Sequence, residues 1–131
     1  MEERKTRIRR VMMMSDAPKG LKHDGNYSWV KIEGDTATIG LIKEEVDKAK
    51  EFVFVQLPEK GEKLKKGERY LALEAVKWSG EIESPVTGEV VEVNDDLFDE
   101  PATINNDPYG EGWIAKVKLS DKNELDGMEE L

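Results

Sequence analysis

The chain has 131 residues, enough for one hydrophobic core but with little room for a second. Hydrophobic and charged residues each make up 37% of the sequence, which is too apolar for a disordered chain and leaves no apolar run long enough for a membrane span. The formal net charge of -9 opposes binding to nucleic acid or anionic lipid. We therefore expect a soluble protein that binds neither nucleic acid nor membrane.

The first 24 residues have the composition of an irregular extension. Five basic residues against two acidic ones give residues 2–10 a net charge of +3, so the rest of the chain carries -12. Val11-Met-Met-Met14 is too short for the hydrophobic region of a signal peptide, and Asp16 follows it closely. We expect a cytoplasmic protein in which a domain, residues 25–131, follows a basic irregular extension, residues 1–24.

Residue counts exclude two kinds of reactive site. The sequence has no cysteine, so it contains no thiol nucleophile, structural disulfide or thiolate metal site. A single histidine, His23, excludes metal motifs built on two histidines, and no nucleophile-elbow sequence accompanies it. We expect no metal site, and we interpret His23 as a surface residue.

The first elements predicted along the chain are a hairpin and a short helix. Residues 29–33 alternate apolar and polar side chains, residues 33–35 supply a turn, and residues 36–41 return as a second strand. Ile42, Val46 and Ala49 then recur at helical spacing among charged residues, with Glu44 and Lys48 as an i,i+4 pair. This helix is too short to be stable alone, so its apolar face is expected to pack on the sheet.

Short strands separated by turns are predicted for most of the remaining chain. Strands are expected at residues 52–57, 70–76, 81–83, 89–93 and 113–119. Residues 94–112 predict loops with one helical turn, and Asp121 with Glu124 has the spacing of a capping box before a C-terminal helix. This succession of short strands is typical of a sandwich or a barrel.

Lys77 lies between two predicted strands, at or near the turn that joins them. Sequence does not fix the register, so the tip of this hairpin is either Val76-Lys77 or Ser79-Gly80. Nearby Glu74 and Glu81 favour a charged ammonium, which argues against a Schiff-base lysine. A lysine on a turn is usually a solvated charge. The other use that suits an exposed amine on a turn is covalent attachment of a group.

Several separated motifs of this chain have the order and spacing of one known family. Around Lys77 they are Glu74-Ala-Val-Lys77 and the segment Ser84-Pro-Val-Thr-Gly-Glu-Val-Val-Glu-Val-Asn94. Elsewhere they are residues 37–41, 52–61, 104–113 and 119–121, so that the likeness extends over residues 24–127. In these motifs the chain resembles the glycine cleavage system H protein family.

The resemblance implies a mainly β fold of the lipoyl/biotinyl type, a flattened hammerhead β-barrel with short flanking helices. It implies that Lys77 forms an amide with lipoic acid, whose two sulfurs the sequence itself lacks. By the same resemblance, Glu74, Val76 and Trp78 are expected to be recognised by the modifying enzyme or by partners.

The function implied is that of a non-catalytic carrier. The lipoyl arm on Lys77 would carry an aminomethyl group between glycine decarboxylase (P protein), aminomethyltransferase (T protein) and dihydrolipoyl dehydrogenase (L protein). A lipoyl-attaching enzyme would be a further partner, and we expect the chain to be a monomer. An acidic body with a tethered arm suits repeated weak encounters with these enzymes.

The chain departs from the family pattern near the lysine and near the expected resting cavity of the arm. Tyr27-Ser28 replaces the usual His-Glu before Trp29, Lys50-Glu51 replaces Gly-Asp, and Trp78 replaces the usual Ala after the lysine. Trp78 either packs on neighbouring barrel residues or alters the docking surface and covers the arm.

These departures leave other functions open. One is an H-protein-like lipoyl-binding protein that serves a heterodisulfide-reductase-like sulfur oxidation system, and another is a donor in lipoyl relay. An unmodified structural barrel is a third. A biotin carrier is disfavoured, because it would have Met on both sides of its lysine where this chain has Val76 and Trp78.

Overall fold

The computed structural model describes residues 18–131, and ten strands in two antiparallel sheets form its framework. The strands are β1 (Leu21–His23), β2 (Ser28–Glu33), β3 (Thr36–Leu41), β4 (Phe52–Gln56), β5 (Lys63–Leu64), β6 (Arg69–Ala75), β7 (Ser79–Glu83), β8 (Gly88–Val93), β9 (Ala115–Leu119) and β10 (Glu129–Glu130). The helices are α1 (Lys43–Ala49), α2 (Asp96–Asp99), α3 (Thr103–Asn106) and a 3-10 helix, Lys122–Gly127. Of the predicted basic extension, residues 1–17 lie outside the described residues.

The two sheets differ in size. The larger has the strand order β10-β1-β2-β3-β9-β8-β5, and the smaller has the order β4-β6-β7. The predicted hairpin is present, since β2 pairs with β3 from Ser28 opposite Leu41 to Glu33 opposite Thr36. The prediction of a mainly β fold with flattened sheets and short helices is confirmed. Among the described residues, no helix is long and apolar enough to cross a membrane.

One buried cluster contains inward side chains of both sheets and of α1. Val30, Ile39 and Val117 come from the larger sheet, and Val55 and Leu71 come from the smaller. Each such side chain contributes about 1.5–3 kcal/mol when it is fully buried. Val46 and Ala49 of α1 join the cluster, as their helical spacing predicts. The apolar face of α1 therefore packs on the sheets.

A second buried cluster lies around Trp29. The indole is 2% exposed, packs with Leu21 and Ile42, and donates from Nε1 to the Pro108 carbonyl at 3.0 Å. Opposite it in the β2–β3 register is Gly40, where a side chain would collide with the indole ring. The ring thus occupies the space that a Cβ atom at this position would need.

Some predicted boundaries do not hold. β1 lies inside the segment 1–24 that was expected to be irregular, because its pairing with β2 and β10 supplies order that its local sequence does not predict. β7 begins at Ser79, two residues before the predicted start, and the two-residue strand β5 pairs with β8 in a stretch where no strand was predicted. His23 is half-buried, and its Nδ1 accepts a hydrogen bond from Gly25 N at 3.1 Å.

The charged pairs also differ from the predictions. Lys48 pairs with Glu45 at 3.6 Å instead of Glu44. The predicted capping box is wrong in one of its two bonds. Asp121 accepts from Asn123 N at 3.0 Å, but Glu124 does not bond back to the start of the helix. The carboxylate of Glu124 instead accepts from Thr87 N at 2.8 Å and from Thr87 Oγ1 at 2.6 Å. Glu124 therefore ties the 3-10 helix to the turn before β8.

Candidate functional site

Lys77 lies at the tip of the β6–β7 hairpin with its side chain exposed. Ala75 N donates to the Trp78 carbonyl at 2.7 Å, and β7 begins at the next residue, Ser79, which pairs with Glu74. Of the two turns that the sequence left open, Val76-Lys77 is therefore the tip. Ser79 and Gly80 belong to the strand.

The backbone of this tip is tied to the connection between α1 and β4. Val76 N donates to the Glu51 carbonyl at 2.9 Å, and Lys77 N donates to the Ala49 carbonyl at 3.2 Å. Hydrogen bonds of this kind restrict the main chain without involving the lysine side chain. The amine of Lys77 is thus presented on a restrained turn.

The α1–β4 connection is itself held by Asn105 of α3. The Asn105 side chain donates from Nδ2 to the Lys50 carbonyl at 2.7 Å and accepts from Phe52 N at 2.9 Å. Lys50 has a φ of 67°, in the left-handed region that favours glycine. This explains why the family pattern commonly has Gly where this chain has Lys50. The strain is retained beneath the turn that carries Lys77.

A cleft of about 280 Å³ opens beside Lys77. Its volume is close to the lower limit of roughly 300 Å³ for pockets that bind small molecules. α1, the β2–β3 hairpin and the smaller sheet form its walls. Its apolar interior is lined by Leu41, Val46, Ala49, Phe52, Leu73 and Ile82. The interior therefore suits an apolar chain.

Two aromatic residues line the same cleft at its exposed side. Tyr27, in the loop before β2, is 43% exposed, and Trp78 is half-buried. Their ring centroids are 6.4 Å apart with an interplanar angle of 48°. Trp78 also packs against the main buried cluster. The predicted packing role of Trp78 is present, and the same ring forms part of the cleft.

Charged groups reach the cleft from α1. Glu45 and Lys48 both line it, and Lys48 Nζ lies 3.6 Å from Glu45 Oε2. Because the two charges oppose each other, this wall carries little net charge. The cleft thus combines an apolar interior with an ion pair on one wall.

Ser28, which departs from the family pattern together with Tyr27, does not line the cleft. Its Oγ is 2.9 Å from the Tyr70 hydroxyl, and both side chains are buried. Burial raises the pKa of the Tyr70 hydroxyl well above its usual value, against the smaller effect of the Ser28 hydrogen bond. Because Ser28 lies in β2 and Tyr70 in β6, this neutral pair joins the two sheets.

The four residues predicted for the site share one hairpin but face different surroundings. Lys77 and Trp78 line the cleft. Glu74 is exposed while its neighbour Leu73 is buried, so Glu74 lies on the outer face of the smaller sheet. Val76 is 62% exposed at the tip. The hairpin thus offers Glu74 and Val76 to the outside and Trp78 to the cleft.

Neither the contact between Tyr27 and Trp78 nor the charged wall formed by Glu45 and Lys48 was predicted from the sequence. Strand alternation identifies Leu73 and Ile82 as inward-facing. The same signal marks every core residue, so it does not distinguish a cleft from filled space. Only the relative placement of α1 and the two hairpins reveals the cavity.

Comparisons with known proteins agree with this geometry. The family model described as "Glycine cleavage H-protein" matches residues 21–130. Glycine cleavage system H proteins of Idiomarina loihiensis and Vibrio campbellii are 43% and 45% identical, over 88% and 86% of this chain and 90% of each relative.

A solved structure is also similar. The crystal structure of a glycine cleavage system H protein from Mycobacterium marinum matches with a TM-score of 0.74 and 35% identity. The match covers 79% of this chain and 86% of that one. Sequence and fold thus agree over most of the chain. This protein belongs to the glycine cleavage H-protein family.

Proposed function

We propose that this chain is a lipoyl carrier of the glycine cleavage system, with lipoic acid attached through an amide to Lys77 Nζ. The observation that carries the proposal is an exposed lysine on a restrained hairpin tip beside an apolar cleft. Membership of the H-protein family supports it. Residues 25–131, together with β1, would act as one carrier domain in the cytoplasm, without a catalytic group of their own.

The residues present suit a lipoyl group. The exposed amine of Lys77 is accessible to a modifying enzyme, and the outward-facing Glu74 and Val76 flank it for recognition. The aliphatic part of a lipoyl chain matches the apolar interior of the cleft. When attached, the group supplies a disulfide that can accept an aminomethyl group and two electrons. The sequence has no cysteine that could exchange with it.

The proposed partners follow from the proposed role. A carrier of this kind must present Lys77 in turn to glycine decarboxylase, aminomethyltransferase and dihydrolipoyl dehydrogenase. The net charge of -9 favours fast, salt-dependent encounters with basic docking surfaces. The tether raises the local concentration of the arm once a partner is bound.

Attachment is tested by intact mass after incubation with lipoate, ATP and a lipoate-attaching ligase. We expect wild type to gain the mass of one lipoyl group, Lys77→Arg to gain none, and the control Lys60→Arg to behave as wild type, because Lys60 is exposed on another turn. Peptide mapping should locate the group at Lys77. Full lipoylation of Lys77→Arg would refute the site.

Loading distinguishes glycine cleavage from the other carrier functions. The fully lipoylated protein is mixed with glycine decarboxylase, its pyridoxal phosphate and glycine, and aminomethyl addition is followed by mass. Addition is expected on wild type. A protein that is lipoylated at Lys77 but never loaded would contradict the glycine cleavage assignment while leaving the carrier role intact.

A further inference from the structure

We propose that a surface formed by α2 and β4 is the docking site for a basic partner enzyme. The α2 surface, as we call it, consists of the side chains of Glu51, Val53, Phe98, Asp99 and Glu100. The inference rests on the proposed carrier function and concerns where an enzyme that acts on Lys77 binds the protein. None of these five residues is among the four that were predicted for the site.

The α2 surface contains an open hollow of about 540 Å³. α2 packs against β4, and the hollow lies where the two elements meet. Val53 of β4 and Pro101 beyond α2 supply apolar surface, and Glu51, Asp99 and Glu100 supply carboxylates. No described residue that lines the hollow is a lysine or an arginine. The hollow is therefore apolar in part and acidic in charge.

An irregularity of β4 turns Val53 outward into this surface. In the pairing with β6, the register shifts between Phe52 and Phe54, and Phe52 and Val55 are both buried. Val53, within the shift, is 57% exposed. Bulges of this kind re-aim side chains and are over-represented next to functional sites. The exposure of Val53 is therefore set by the backbone of the strand.

Phe98 is suited to act as the anchor of an interface. Among the described residues it is the most exposed large apolar side chain, at 66%, whereas its neighbour Leu97 is fully buried and attaches α2 to the core. An aromatic ring in water adds little to the stability of the fold. Aromatic side chains are enriched at protein interfaces, where they fill pockets of the partner and dominate the binding energy.

The charge of this surface identifies the kind of partner. Asp95 and Asp96 add two exposed carboxylates beside those of Glu51, Asp99 and Glu100. Within the described chain, none of the five lies within ion-pair distance of a basic side chain. A second copy of the chain would bring the same carboxylates together, and like charges at an interface are unfavourable. A partner that presents lysines or arginines around an apolar pocket matches both the charge and the ring.

The position of the α2 surface relates it to the carrier role. Glu51 lines the hollow, and its carbonyl accepts the hydrogen bond from Val76 N at 2.9 Å. Val76 directly precedes Lys77 at the tip of the hairpin. An enzyme seated on the α2 surface would therefore have the group attached to Lys77 beside it, without covering the lysine itself.

The test measures KM and kcat for the lipoylated full chain as the substrate of each proposed partner enzyme. Glycine decarboxylase, aminomethyltransferase and dihydrolipoyl dehydrogenase are assayed separately against increasing carrier concentration. Phe98→Ala should raise KM about five- to thirtyfold for at least one enzyme. Its kcat should stay unchanged, because a docking contact contributes equally before and in the transition state. Val91→Ala removes exposed apolar surface from β8 and is the control with the wild-type KM.

The charge is tested with a protein that carries both Asp99→Asn and Glu100→Gln. KM should rise about two- to fivefold at low salt for the same enzyme. The dependence of KM on salt should also weaken, because fewer charges face the partner. Glu89→Gln with Glu129→Gln alters the net charge equally at exposed positions outside the α2 surface, and this control should have the smaller effect.

Steric blocking gives a measurement that does not depend on the folding of Phe98→Ala. The sequence has no cysteine, so Glu100→Cys provides a single site for a bulky maleimide, added before lipoylation. The protein with this label should have a higher KM than the same variant capped with a small acetamide. The same label on Glu89→Cys should leave KM unchanged.

The outcomes separate the α2 surface from the proposed function. If wild type is not lipoylated at Lys77, or if none of the three enzymes turns it over, the proposed function fails and this inference fails with it. If wild type is turned over but all the α2-surface variants match their controls with every enzyme, the docking site alone is overturned.

Two other results would assign the surface to a different occupant and overturn the proposal. A lower KM for Phe98→Ala would indicate that the basic residues 2–10 of the same chain compete for the surface. Self-association of wild type in sedimentation equilibrium, lost in Phe98→Ala, would indicate a second copy.

Discussion

The close approach of Trp29 to Gly40 makes Gly40→Ala a sharp test of the fold that supports the cleft. Gly40 lies in β3 directly opposite Trp29, and an added Cβ would come within 2.6 Å of the indole Cε2 and closer still to another ring atom. Ordinary contacts between carbon atoms are about 3.5–4.0 Å. The ring or the strand must therefore move.

The cost follows from what surrounds the ring. Trp29 is 2% exposed, so it has no open space to enter, and overpacking of a core costs about 1–3 kcal/mol. Movement also breaks the bond from Nε1 to the Pro108 carbonyl, which adds about 1–3 kcal/mol for the groups left unpaired. Removing a glycine restricts the unfolded chain and offsets about 0.4–1 kcal/mol. We expect a net loss of about 2–5 kcal/mol.

Thermal and urea unfolding, followed by far-UV circular dichroism, measure this loss. At about 4 °C for each kcal/mol, the melting temperature should fall by roughly 8–20 °C. Gly127→Ala is the matched control, because a Cβ at Gly127 meets nothing within 4 Å and its backbone is not left-handed. A Gly40→Ala protein that melts within about 2 °C of wild type, with the Trp29 indole signal unchanged, would refute the reasoning.

Two further substitutions test the supports of the site, and a third tests an ion pair elsewhere in the fold. Asn105→Ala should lower the free energy of unfolding by about 1–3 kcal/mol, because it removes the bonds to Lys50 and Phe52, and hydrogen exchange of the Lys77 amide should rise. Lys50→Gly should raise the urea midpoint by an amount equivalent to about 0.5–2 kcal/mol, since it relieves a left-handed residue. Burial raises the pKa of Asp24, but the hydrogen bonds from Lys66 and Asn26 and the charge of Lys66 together outweigh it and lower that pKa. Asp24→Asn should therefore cost about 0.5–1 kcal/mol at pH 7. Because the folded pKa is the lower one, this difference should begin to shrink below about pH 3.9 and vanish below the folded pKa, as urea titrations at several pH values would show.

Much of the fold could be predicted because local patterns agreed with the tertiary structure. The β2–β3 hairpin has alternation on both sides of a turn, and the spacing of Ile42, Val46 and Ala49 matches the buried face of α1. The short strands could not be predicted in the same way. β1, β5 and β10 contain three residues or fewer, so their order comes from pairing with distant strands.

Lys77 could be predicted as the attachment residue, but the residues that surround it could not. Motifs around Lys77 are local, and they identify the lysine directly. The tip itself was identified by the β6–β7 register and the bond from Ala75 N to the Trp78 carbonyl, and it is held by bonds from Val76 and Lys77 to residues about 25 positions earlier in the chain. The pairing of Ser28 with Tyr70 crosses 42 positions. Polar residues that hydrogen-bond across such long sequence separations produce no recognisable pattern in the sequence around either residue.

The two backbone bonds that hold the hairpin tip have a geometric consequence for a carrier. They fix the position of the Lys77 main chain, so the far end of a group attached there stays within one maximum reach of a fixed point on the protein. A loose tip would displace that point with every fluctuation and spread the same reach over a larger volume. Partner enzymes of different shape would therefore meet the end of the arm within the same maximum distance of a common origin.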